Sequence, residues 1–136
     1  SDTEMYSNGK IRVKNLSGEF FLSGPKSKIK NDNILIKGVN IDGVFSTQED
    51  TKEILFLNVE DKNIAYVNNN ETEMYANVIK YNKDTSLINL ENNVKIISKG
   101  ETITGDEGSL NIETNSYKIK SKNKKKVKII IENNDE

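Results

Sequence analysis

The stretch "INLENNVKI" (88–96) decides how the chain is read. Apolar residues alternate with polar ones up to Leu90, three polar residues follow (Glu91, Asn92 and Asn93), and the alternation restarts at Val94. A period of two marks a strand with one face buried. Asparagine tolerates the left-handed backbone that a tight turn requires. The interruption therefore reads as a three-residue hairpin loop over 91–93. That register pairs Leu90 with Val94 and Ile88 with Ile96. Antiparallel partners point to one face, so all four apolar side chains gather on one side. A two-residue loop at Asn92–Asn93 would pair Leu90 with Lys95 and mix the faces.

The same period runs outward in both directions. Ile11 and Val13 alternate with Arg12 and Lys14, Leu110 and Ile112 flank Asn111, Tyr117 and Ile119 flank Lys118, and Val127 and Ile129 flank Lys128. No window carries a 3.6-residue stripe. Turn-type clusters recur roughly every eight to twelve residues, the spacing of an all-β fold. They fall at Ser23–Gly24–Pro25, Asn31–Asp32–Asn33, Thr47–Gln48–Glu49–Asp50, Asp61–Lys62–Asn63, Asn68–Asn69–Asn70, Asn82–Lys83–Asp84, Lys99–Gly100 and Glu113–Thr114–Asn115. "ILIKGVNI" (34–41) repeats the opening phrase with a Gly38 turn. A four-residue loop over 113–116 would pair Ile112 with Tyr117 and Leu110 with Ile119. At a shift of 29 residues "ANVIKYNKDT" (76–85) lies over "GDEGSLNIET" (105–114), a repeat in the range of a solenoid-like stack or an extended roll.

Composition removes whole classes of chemistry. The chain has 136 residues, the length of one domain, yet only 34% are apolar. That favours thin layers with a wet face over a thick core. The chain holds no cysteine, which excludes disulfides and thiolate catalysis, and no histidine, which excludes a Ser–His pair and His-ligated metals. The chain is read as non-enzymatic, with no cofactor and no metal. Carboxylates are scattered and none has EF-hand spacing. Net charge is −1, so no overall field draws the chain to nucleic acid or to an anionic membrane. Twenty asparagines and nineteen lysines against one arginine, Arg12, suggest an AT-rich genome, so single asparagines carry little functional weight. No stretch reaches the roughly 18 apolar residues of a membrane span, and no leader pattern is present. Because the chain begins at Ser1, a signal peptide or anchor helix is expected to have been removed from in front of it.

The segment "YNKDTSLINLENNVKIISKGETITGDEGSLNIETNSYKI" (81–119) resembles the OstA-like domain family of the lipopolysaccharide-transport proteins LptA and LptC. Its recurring phrase has a small residue, a Tyr-Asp-like pair, a turn, a strand, Gly-Asn-Val, another strand and an (Ala/Gly)-Asp step. Ala76, Tyr81, Asn82, Leu90, Asn93, Val94, Ile96, Gly105 and Asp106 occupy those positions, and Asn92 stands where the family has glycine. The likeness covers about residues 71–121 and is looser over 10–60, where Gly38–Val39 keeps the phrase. The resemblance implies one domain over 1–136, with 1–8 and 132–136 fraying. It implies a twisted, taco-like β-jellyroll of many consecutive antiparallel strands. It also implies a periplasmic module that shields the acyl chains of lipopolysaccharide or a related lipid and joins head to tail with other OstA-like proteins of a transport bridge, or with copies of itself.

The expected inner face comprises Phe20, Ile36, Val39, Phe45, Phe56, Tyr66, Val78, Tyr81, Ile88, Leu90, Val94, Ile96, Leu110, Ile112 and Ile119. It is either plain core or the lining of a lipid groove, and a thin roll lets it be both. The lysine run "KIKSKNKKKVK" (118–128) is either a solvated strand end or a contact for lipid phosphates, and without arginine and interleaved aromatics it does not read as a nucleic-acid site. Val127, Ile129 and Ile131 form a candidate assembly edge. The competing reading is a structural β-roll that self-assembles edge to edge without lipid. A carbohydrate-binding module is a third, weakened by the absence of tryptophan.

Overall fold

The computed structural model describes residues 3–48, 53–122 and 127–132. Each alternating run becomes a strand. These are β1 (Glu4–Tyr6), β2 (Lys10–Val13), β3 (Glu19–Lys30), β4 (Ile34–Phe45), β5 (Ile54–Asn69), β6 (Thr72–Asn82), β7 (Leu87–Ser98), β8 (Glu101–Asn111), β9 (Ser116–Lys120) and β10 (Lys128–Ile131). From β3 to β8 each strand pairs with the next in chain order, and all pairings are antiparallel. The two outer long strands each carry two short ones, β1 and β2 on β3, and β9 and β10 on β8. Residues 4–6, expected to fray, are strand β1 paired with Lys28–Lys30. Residues 133–136 lie outside the described residues.

Asparagines cap three of the true turns. The Oδ1 of Asn31 accepts the N–H groups of Asn33 and Ile34 at 2.9 and 3.0 Å. Asn82 receives Asp84, and Asn111 receives Glu113 and Thr114, in the same way. These Asx turns replace ladder bonds that a reversing chain must lose. The caps at Asn82 and Asn111 are equivalent points of the 29-residue repeat, which is therefore one strand pair of the sheet.

Four of the ten expected turns are not turns, and Glu49–Asp50 of a fifth lie outside the described residues. Asn92 and Asn93 lie inside β7, which runs straight through from Leu87 to Ser98. Both residues are left-handed (φ 65° and 57°), and together they face Asp106 alone, between the Glu91–Glu107 and Val94–Gly105 pairs. This is a β-bulge, not a hairpin. Gly24–Pro25–Lys26 in β3, Gly38–Val39 in β4 and residues 61–64 in β5 are likewise mid-strand register shifts. The shifts lie beside one another strand after strand, so they form a crease across the sheet. At the β8–β9 turn the four-residue loop lies one residue earlier than expected, over 112–115, and the register moves by two. Asn111 pairs with Ser116 and Leu110 with Tyr117, which leaves Ile112 in the turn with Asn115 left-handed at its end.

The crease is where the sheet folds onto itself. Lobe A, on one side, contributes Phe20, Leu22, Ile41, Phe45, Leu57, Val59, Ile79, Ile88, Leu90 and Leu110 to the core, and lobe B contributes Ile29, Ile36, Ala65, Val67, Met74, Val94 and Ile96. All belong to one cluster, and several are fully buried. An unfolded single sheet has no second layer to bury a face so completely. A hydrogen bond from the Tyr117 hydroxyl to Glu101 gives independent proof. Tyr117 sits beside Leu110, nine residues from Glu101 along β8. A straight strand would separate those points by about 30 Å.

The bend uses its own polar chemistry. Asn77 Nδ2 donates to the carbonyls of Asp61, Lys62 and Asn63 at 3.0, 2.9 and 3.3 Å. Its Oδ1 accepts from Asn93 Nδ2 at 2.7 Å. On β3 the buried Ser27 hydroxyl donates to the Gly24 carbonyl at 2.7 Å. On β8 the Asp106 carboxylate accepts the Lys122 N–H at 2.7 Å. Bulges orphan backbone groups, and these side chains take them up.

Candidate functional site

The candidate site is the inner face and the places where it opens. Phe20, Ile36, Phe45, Ile88, Leu90, Val94, Ile96 and Leu110 are buried there. Tyr81 and Ile119 pack against them from the margin. Val39 lies half-buried on the crease. The opening stretch thus keeps its four apolar side chains on one face. A three-residue loop and a two-residue bulge both preserve the facing of Leu90 and Val94, so the right face came from the wrong connection.

Three expected residues point the other way. Phe56 faces outward beside Val44 and is 40% exposed, because its neighbour Leu57 is the inward residue. Tyr66 is outward because Ala65 and Val67 are buried, and it stacks against Tyr75 with ring centres 5.0 Å apart. Val78 is outward because Ile79 is buried. In each case the buried neighbour fixes the facing, because a strand alternates strictly. The alternation Leu57–Asn58–Val59–Glu60 held the signal for two inward residues that the reading missed. Leu22, Ile41 and Met74 were also missed.

Phe45 and Phe20 stack at 4.4 Å between centres. Gly43 lies under that pair, where a Cβ would come within 2.6 Å of the Phe20 ring and 2.2 Å of the Phe56 carbonyl oxygen. The inner face is thus filled by its own side chains. Among the described residues it opens in three places. A mouth of about 650 Å³ separates the β5–β6 and β7–β8 turns of lobe B from the β8–β9 turn of lobe A. Met74, Leu110 and Ile112 form its apolar floor, and Asn69, Glu71, Lys99 and Asn115 stand around it. Tyr117 and Glu101 bridge the lobes at the β8–β9 end. That hydrogen bond, with burial and the Glu101 charge after it, raises the Tyr117 phenol above its ordinary value. Burial first, then the Glu53 charge, raises Tyr81.

The other two openings are the sheet's ends. On β2, Ile11 and Val13 pair with the buried Leu22 and Phe20, so they face inward, yet both are exposed. On β10, Ile129 pairs with the buried Ile103 and Ile131 with Glu101, and both are exposed too. Val127 is exposed just before that strand. The expected assembly edge is therefore paired on one side, to β8. Residues 123–126 of the lysine run lie outside the described residues. Among the described residues no group of acids is placed to hold a metal ion, and no helix is long and apolar enough to cross a membrane.

No family model matches the sequence, and no curated protein matches it. Solved structures do match. One is LptH of Pseudomonas aeruginosa, described as the LptA-homologous periplasmic component of the conserved lipopolysaccharide transport device. The TM-score is 0.72 at 13% identity, over 97% of this chain and 96% of that one. The likeness spans the whole architecture and shows a shared fold, the LptA-like β-jellyroll.

Proposed function

We propose that the protein is a periplasmic lipid carrier that holds the acyl chains of lipopolysaccharide or a related lipid between its two lobes and passes them along a row of similar domains. The observation that carries this reading is the continuity of the inner apolar face out of both ends of the sheet. Ile11 and Val13 at one end and Ile129 and Ile131 at the other face inward, and among the described residues no layer covers them. A further domain stacked on either edge would extend the strands and prolong the apolar interior. The shared fold with LptH supports the reading. Binding needs no polar motif, because each buried methylene contributes roughly 0.8 kcal/mol. The inner face is already packed, so cargo enters by parting the lobes at the mouth.

Photo-crosslinking tests the groove. Probes at Tyr81, Ile96 and Ile112 are expected to capture lipopolysaccharide, while a probe at the outward Phe56 is not. Equal capture at Phe56, or none at the inner positions, removes the lipid reading. Deleting residues 127–136 is expected to abolish concentration-dependent oligomers in sedimentation. The packed inner face favours one competitor, a structural roll that polymerises without cargo. Oligomers that depend on residues 127–136 in a protein that never crosslinks lipid would establish it.

A further inference from the structure

The outer face of lobe B carries an ordered row that the carrier reading does not use. Register places Tyr6 beside Lys28, Lys28 beside Lys37, Lys37 beside Tyr66, Tyr66 beside Tyr75, Tyr75 beside Lys95, Lys95 beside Thr104 and Thr104 beside Lys128. One residue from each of eight successive strands thus stands in a transverse line. At about 4.8 Å per strand the line is roughly 34 Å long. Three lysine ammonium groups lie over tyrosine rings, Lys28 over Tyr6 at 4.7 Å, Lys37 over Tyr66 at 5.7 Å and Lys95 over Tyr75 at 5.7 Å. Such contacts hold long side chains in place at exposed sites.

The next outward line runs Glu4, Lys30, Leu35, Asn68, Glu73, Ile97, Thr102 and Ile130. Across both lines five lysines face two glutamates, although the whole chain has a net charge of −1. The lines also contain tyrosines whose hydroxyls stand near the surface, and Leu35, Ile97 and Ile130 are outward apolar residues.

We propose that this face docks the protein on an anionic lipid bilayer. Lysines meet the headgroup charge, each contributing about 1 kcal/mol near such a surface. Tyrosines sit at headgroup depth, where a ring with a polar tip is favoured. The flanking Leu35, Ile97 and Ile130 meet the acyl boundary. A soluble nucleic acid fits less well, because the row has no arginine to grip phosphates in pairs. This surface is separate from the inner groove and does not depend on the carrier reading.

Co-sedimentation with phosphatidylglycerol–phosphatidylcholine vesicles tests the proposal. Wild-type protein is expected to bind, to release as salt rises, and to ignore pure phosphatidylcholine vesicles. The triple variant K28Q/K37Q/K95Q is expected to lose about a hundredfold in affinity, roughly fivefold per lysine. The control K10Q/K80Q/K118Q, on other surfaces, is expected to stay within twofold. Circular dichroism shows that each variant is folded. Equal losses in both variants overturn the proposal in favour of diffuse charge. Retained binding in K28Q/K37Q/K95Q places vesicle lipid in the groove instead. Binding to soluble polyphosphate as tight as to vesicles makes the row a polyanion site and also overturns it.

Discussion

Asn77 is one of few residues on β6 without an apolar or ladder task, and it secures the crease between β5 and β6. Three carbonyls of β5 point at its amide, and its own oxygen receives Asn93. Asn77→Ala is expected to destabilise the protein by about 1–2 kcal/mol, kept modest because water reaches part of the site. Asn77→Asp, which sets a carboxylate against three carbonyl oxygens, is expected to cost more. The urea midpoints of the two variants check the order. Gly43→Ala is a second residue-scale test. Its Cβ would overlap the Phe56 carbonyl and the Phe20 ring, so a loss of about 2 kcal/mol or more is expected in the same assay. Neither role was legible in the sequence. The many asparagines of the chain looked alike there, and what separates Asn77 is a cross-strand neighbour 14 to 16 residues away. The misplacement of Phe56, Tyr66 and Val78 is different in kind, because the alternation of their neighbours did hold the answer.

At the scale of a strand, existence and inward faces could be read, but reversals could not. Turn-type residues appear wherever the backbone must leave the extended region, and that happens both where a chain reverses and where a sheet creases. Asn31, Asn82 and Asn111 reverse it, whereas Asn92, Asn93 and Gly38 lie in the crease. One sequence has no marker that separates the two, because the difference is whether a partner strand continues alongside. The crease makes a testable demand. Asn92 is exposed and left-handed. Asn92→Gly relieves that backbone and is expected to leave stability unchanged or raise it by up to about 1 kcal/mol. Asn92→Val places a β-branched side chain at φ 65° and is expected to cost about 1–2 kcal/mol. Had residues 91–93 closed a hairpin, β7 would end there and Val94 would lose its partner Gly105. Hydrogen exchange of the Val94–Ser98 amides in the two variants, slow in Asn92→Gly and faster in Asn92→Val, follows the integrity of the crease.

The whole molecule is a sheet whose lobes are joined by the crease and meet again at the mouth, where the Tyr117–Glu101 hydrogen bond crosses between them. If cargo enters by parting the lobes, this bond resists entry and exit. The phenol donates and the carboxylate accepts, so the bond needs a protonated Tyr117. The Tyr117 value lies above the ordinary 10.0, raised first by this bond. A raised folded value favours the protonated form, so the contribution is fully present below pH 10 and is lost as pH climbs through the raised value. Above that point two anions face each other and the lobes repel. Tyr117→Phe removes the bond at every pH. With the bond exposed and worth about 1 kcal/mol, it is expected to speed exchange of a fluorescent acyl lipid roughly fivefold at pH 7. Wild-type exchange should accelerate to the variant's rate and beyond it as pH climbs above 10, while the variant's own rate stays nearly level. Stopped-flow fluorescence between pH 7 and 11 reads both profiles. Parallel profiles would show that the mouth is held by its apolar floor of Met74, Leu110 and Ile112 and not by this bond.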